Sequence, residues 1–230
     1  MSSAMGGSTS TATSSGGGDA CEPPAPNNLD ESFTVGVVSA TIMSTDGRPA
    51  AGIIADVCGT DKCIFAEADG SGQLSEDLQG DTLMDVRLLY GSGKEYAKMG
   101  ARLVNTPDSA FGTIHAIALP ATGATIGSGA HESGGVTLTF ADGAVFDQDT
   151  LIYQDVQPFR ATLVETADFT LPAVPAQITV VAAMAPIHST VCPAADLTID
   201  NVAGWPADST VTVYFHGTRT FQHYVPYGEW

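Results

Sequence analysis

The stretch from Asp46 to Tyr90 restricts the fold more than any other part of the chain. It reads DGRPAAGIIADVCGTDKCIFAEADGSGQLSEDLQGDTLMDVRLLY, a series of turns between short apolar runs. Asp46-Gly47-Arg48-Pro49 leads into Ile53–Val57, and a loop bounded by Cys58 and Cys63 leads into Ile64-Phe65-Ala66. Asp69-Gly70-Ser71-Gly72 precedes Gln73-Leu74, and Gln79-Gly80-Asp81 opens Leu83–Tyr90. An Asp-Gly pair supplies positive φ and a local side-chain cap, so each pair marks a chain reversal. Reversals at this spacing between β-branched runs predict a small antiparallel β-sandwich.

The flanking segments extend the pattern. In SFTVGVVSATI, Phe33, Val35 and Val37 share one parity and Val38, Ala40 and Ile42 the other, so Gly36 is a candidate bulge that changes face. Gly91-Ser92-Gly93-Lys94 turns the chain into EYAKMGARLV, Glu95–Val104, read as a strand although its residues favour helix. Phe111–Leu119 closes the unit. Residues 121–133 are rich in Gly, Ser and Thr and read as a linker. Alternation then resumes at Val136, Leu138 and Phe140, followed by Asp142-Gly143 and Ala144-Val145-Phe146. Further strands are expected at Phe159–Val164, Ile178–Met184, Leu197–Val202 and Val211–Phe215, with prolines falling between them.

Composition bounds the rest. The net charge is −18 with only 8 Lys plus Arg, which excludes nucleic acid as a partner because phosphate contacts need basic side chains. A hydrophobic fraction of 43% supplies real cores. Residues 1–30 differ: a Gly/Ser/Thr tract and a Pro-rich run with almost no large apolar side chains, expected to form a disordered tether. No run is long enough for a transmembrane helix, and the start lacks the basic and apolar regions of a signal peptide.

The residues also resemble two known families. Gly47, Pro49, Gly52, Asp69, Gly70, Gly72, Leu74, Leu78 and Gly80 are similar to the turn pattern of carboxypeptidase regulatory-like domains, which have a transthyretin-like fold. That resemblance covers about Phe33–Leu119 and implies a non-catalytic module. The Cys58–Cys63 loop is an addition to the pattern. GGVTLTFADGAVFDQDTLIY, APIHSTVCPAADLTI and the final TVTVYF…YGEW resemble a ZU5-type module over about Gly134–Trp230. Ala141 and Asp142 stand where that family favours proline, and Cys192 replaces an aromatic before Pro193. ZU5-like modules imply protein–protein contact or a structural role, and a further strand is expected beyond Trp230.

The chemistry-bearing residues do not assemble into a reaction centre on paper. His115, His131, His188, His216 and His223 form no HExxH, and His115 reads as a core or edge histidine. His216 and His223 could meet across a hairpin, but no third metal ligand is visible. Glu76 and Asp77, beside the Asp69 turn, depart from a calcium loop, and Asp142, Asp147 and Asp149 read as a solvated acidic loop. There is no GxSxG elbow, and Gly91-Ser-Gly-Lys94 lacks the upstream glycine of a P-loop. No catalytic, metal or cofactor-binding residue is assigned, and no cofactor is expected.

The 4 cysteines form neither CxxC nor a zinc spacing, and an even number suits an oxidising compartment, with cytosolic free thiols as the alternative. Gly59-Thr60-Asp61 can reverse the chain between Cys58 and Cys63, bringing their Cα atoms within disulfide range; so short a loop would contribute about 2 kcal/mol. Cys21 and Cys192 then pair by elimination. The expectation is an all-β chain: two consecutive Ig-like or transthyretin-like antiparallel sandwich domains, residues 31–120 and 134–230, after a disordered tether. Its expected role is that of an exported, non-catalytic cell-envelope protein of lipoprotein type, binding a protein or cell-surface partner or acting structurally. Membrane attachment would come only through an upstream lipid anchor on a signal segment absent from this sequence. Accessory domains of a secreted hydrolase, or a divalent-cation binder, are the alternatives.

Overall fold

The computed structural model describes residues 36–59, 62–80, 83–91, 94–97, 108–148, 155–166, 178–186, 189–215 and 225–229. Among the described residues there is no helix, and the chain is all-β. The expected tether, Cys21, His188, His216, His223, Asp149 and the 98–104 part of the expected fifth-segment strand lie outside the described residues.

Seven strands make up the first half: β1 (Val37–Ser44), β2 (Ile54–Gly59), β3 (Cys63–Glu67), β4 (Gln73–Asp77), β5 (Leu83–Gly91), β6 (Lys94–Glu95) and β7 (Asp108–Ala116). They form a three-stranded sheet, β4-β1-β7, and a four-stranded sheet, β3-β2-β5-β6. Val38, Ala40 and Ile42 of β1, Ala55 and Val57 of β2, Leu74 of β4, and Ile114 and Ala116 of β7 share one buried cluster. Alternate residues of both sheets thus meet in a common core, which is sandwich packing. Burying a side chain such as Ile42 or Ile114 contributes about 2 kcal/mol.

One detail differs from the sequence reading. The sheets are antiparallel except for β1 and β7, which run parallel. No tight turn joins these strands; the intervening strands supply the long crossover that a parallel pair requires. The face change read at Gly36 turns on Phe33 and Val35, which lie outside the described residues; the irregularity seen is in the middle of β1. Its register with β7 shifts between Ser39 and Thr41, partners of Ala110 and Thr113, so the extra residue belongs to β7. Gly112 there has φ +66°, a conformation glycine adopts without steric cost.

The Asp69 turn forms as its residues dictate. The Asp69 carboxylate accepts hydrogen bonds from the Ser71 amide at 2.8 Å, the Ser71 hydroxyl at 2.7 Å and the Gln73 amide at 2.9 Å. These bonds, the Ser71 hydroxyl first, hold the carboxyl below its ordinary pKa. The sign of the linkage follows: a depressed pKa stabilises the hairpin above the ordinary carboxylate range, and that contribution is lost as pH falls through the folded-state value. Amide exchange at Gln73 and Ser71 is therefore expected to quicken on acidification beyond the intrinsic rate change, and Asp69→Ala to abolish that pH dependence.

The second half contains β8 (Gly129–Ser133), β9 (Val136–Phe140), β10 (Val145–Asp147), β11 (Arg160–Glu165), β12 (Val180–Ala185), β13 (Thr190–Cys192), β14 (Asp196–Ile199), β15 (Thr212–Phe215) and β16 (Val225–Glu229). Strands β14, β9 and β8 form one sheet, while β10 with β13, β11 with β12, and β15 with β16 form pairs. Residues 121–133, read as a linker, hold β8 and an antiparallel bridge between Ala124 and Phe159. β8 and β9 join through Gly134-Gly135, both with positive φ, as a two-residue hairpin turn requires.

The β11–β12 ribbon has two buried faces. Thr162 opposes Ala183 and Val164 opposes Val181; Ala183, Ala185, Val164 and Val181 belong to the first core. On the opposite parity Ala161 opposes Met184 and Leu163 opposes Ala182, and these pack with Val136 and Phe159 in a second core. Polar bonds tie the ribbon to the first unit: the Thr162 hydroxyl donates to the Ala118 carbonyl at 2.8 Å, and Arg160 Nη2 to Glu95 Oε2 at 2.5 Å. One hairpin is therefore a wall of both cores.

Candidate functional site

The part of the molecule with most to offer a partner is the β2–β3 hairpin. The register runs Ile54–Glu67, Ala55–Ala66, Asp56–Phe65, Val57–Ile64 and Cys58–Cys63. Just beyond it, the Ala68 amide donates to the Ile53 carbonyl at 2.9 Å, and the Ala68 carbonyl accepts from the Gly52 amide at 2.8 Å. Both backbone groups of Ala68 thus face β2. Antiparallel ladders alternate with period two, so Ala66 and Ile64 also face β2, while Glu67, Phe65 and Cys63 turn their N–H and C=O groups away from it.

Two consequences follow. Cys58 and Cys63 occupy a non-hydrogen-bonded pair, the closer kind, with a Cα separation of about 4.5 Å in such ladders, inside disulfide range. Among the described residues there is no free thiol. The outward-turned residues of β3 also lie on an edge, because β3 ends its sheet. Phe65 is 69% exposed there, and Cys63 and Glu67 are exposed beside it.

Behind this edge the chemistry is buried. Asp56, opposite Phe65 on one side and Arg87 on the other, is a buried carboxylate in the central strand β2. Glu67 at the end of β3 and Asp69 in the turn that follows it are both exposed, so this end of the strand is acidic.

The other residues weighed from sequence stay apart. His115 is buried on β7 between Ile114 and Ala116, in the place expected of a sheet histidine. His131 on β8 donates from Nε2 to the Gly127 carbonyl at 2.8 Å, and its ring lies 5.2 Å from that of Phe140. Asp142 is in the β9–β10 turn and Asp147 at the end of β10, both exposed. Among the described residues no three His, Cys, Asp or Glu side chains gather as metal ligands would. Two features were missed from sequence: the exposure of Phe65, which strand parity relative to Ala66 could have revealed, and the pairing of buried Arg160 with half-buried Glu95, which carries no local signal. No family model, curated protein or solved structure matches the chain.

Proposed function

We propose that the chain is an exported, non-catalytic cell-envelope protein that presents consecutive β-sandwich modules, of carboxypeptidase regulatory-like and then ZU5-like type, for binding or structural support. The observation that supports this reading best is the placement of Cys58 directly across from Cys63 on adjacent strands, together with the lack of a free thiol among the described residues. A cross-strand pair closes readily where thiols are oxidised and stays open in a reducing cytosol. On this reading Cys58 bonds to Cys63, and Cys192 to Cys21. The acidic charge, −18 overall, suits a protein kept soluble at a surface and directs it towards basic rather than anionic partners. Fractionation of the native host tests the location. The protein is expected in the envelope or medium with its cysteines protected from alkylation; full-length cytosolic protein with reactive thiols would refute the proposal.

A further inference from the structure

Among the described residues strand β3 is an edge strand. It ends the sheet β3-β2-β5-β6, and the alternation set by Ala68 turns the backbone N–H and C=O of Phe65 and Glu67 outward. Natural sheets blunt such edges with lysine, proline or a bulge. Within Cys63–Glu67 none of these occurs: the sequence is CIFAE, and its register with β2 is unbroken. Phe65, at the centre of the edge, is 69% exposed. A continuous edge with an aromatic at its middle and its one charge, Glu67, at its end is a surface that strand addition uses, with backbone bonds giving affinity and alternate side chains giving selectivity.

The charge around the edge selects the occupant. Glu67 lies on the strand itself and Asp69 in the turn that follows it, both exposed. Three hydrogen bonds hold the Asp69 carboxyl in its charged form. A second copy would bring the same carboxylates together, and a net charge of −18 would repel it at longer range. An extended segment rich in lysine or arginine is attracted instead. We propose that the β3 edge binds one extended, basic polypeptide segment as an added strand, with an apolar partner side chain on Phe65 and basic side chains against Glu67 and Asp69. The proposal rests on reading the chain as a binding protein, but not on where the protein resides.

The test uses the full chain and a fluorescein-labelled peptide of alternating lysine and valine, read by anisotropy at about 0.15 M salt, where unspecific charge attraction is screened beyond about 8 Å. The intact protein is expected to bind it. Phe65→Lys, which adds a repelling charge, and Phe65→Pro, which removes an outward donor tolerated only at an edge, are each expected to weaken binding about tenfold or more. A peptide N-methylated at alternate residues should lose binding similarly, because it cannot complete the ladder. Val202→Lys, at an exposed turn away from β3, should leave affinity within about twofold under the same screening. Circular dichroism confirms that each variant is folded; should Phe65→Pro not fold, Phe65→Lys decides. Absence of binding, or equal binding by the N-methylated peptide or the Phe65 variants, overturns the proposal. Self-association abolished by Phe65→Lys would overturn it too, making a second copy the occupant. A cytosolic location in the fractionation above would remove the export reading and leave this edge untouched, so the two failures are distinguishable.

Discussion

Glu95→Ala is expected to destabilise the protein by about 3 kcal/mol, and Arg160→Met by clearly less. The asymmetry comes from burial. The side chain of Arg160 is 8% exposed and that of Glu95 is 32% exposed. Arg160 Nη2 donates to Glu95, while its buried Nε has no hydrogen-bond partner. Removing Glu95 leaves a guanidinium buried without its counter-charge, the expensive way to break an ion pair. Removing the arginine leaves a carboxylate that water already reaches, and methionine retains much of the apolar stem. The double variant should therefore lie close to Arg160→Met alone, so that most of the effect of Glu95→Ala disappears once the arginine is gone. For a chain of this size about 3 kcal/mol corresponds to a fall in Tm of about 6–12 °C. Denaturant titration of the four proteins measures the cycle, and equal effects of the two single changes would contradict it.

Gly134→Ala is expected to lower stability by a comparable amount, about 3 kcal/mol, for a different reason. Gly134 has φ +53°, and a Cβ built on it would lie 2.2 Å from the Ala161 carbonyl oxygen, an atom of the β11 backbone. The residue is thus strained by any L side chain and is also pressed against a strand that cannot yield without shifting the wall of both cores. Gly143 separates the two contributions. Its φ is +75°, yet a Cβ there meets nothing within 4 Å. Gly143→Ala should show the conformational penalty alone, about 1 kcal/mol. Thermal unfolding of the pair checks the difference; similar Tm values would mean that the ribbon does not press on the β8–β9 turn.

These two sites also show where the sequence was readable. Turns such as Asp69–Gly72 are encoded locally: one carboxylate, neighbouring amides and a permissive glycine decide the outcome within five residues, so their positions could be read directly. The core parity of β1 was readable for the same reason, since Val38, Ala40 and Ile42 alternate with Ser39 and Thr41. Strand β8 was not. Gly129–Ser133 holds no β-branched residue, and its pairing with β9 comes from the Gly134-Gly135 turn rather than from its own propensity. The ribbon left a partial trace. VVAAMA in β12 has no polar alternation because both faces are buried, whereas a strand with one wet face alternates. Which cores it would divide depends on contacts such as Arg160 with Glu95, 65 residues away, and no local pattern specifies those.

The candidate site was legible in one half only. The Cys58–Cys63 spacing suggested a clip across a hairpin, and the register sets those residues opposite each other. The edge beside it depends on which backbone groups of β3 face β2, and that phase is set by the Gly52–Ala68 and Ile53–Ala68 bonds rather than by residue type. The edge and the clip share one hairpin, so an oxidised clip would hold the Cys63 end of β3 in register for an incoming strand.

Peptide mapping without reduction, on protein recovered from the envelope fraction of its native host, tests the central claim most directly. Digestion should release a peptide in which Cys58 is joined to Cys63, with Cys192 joined to Cys21, and neither pair taking up an alkylating reagent before reduction. Recovery of Cys58 and Cys63 as alkylated thiols from that oxidising fraction would contradict it.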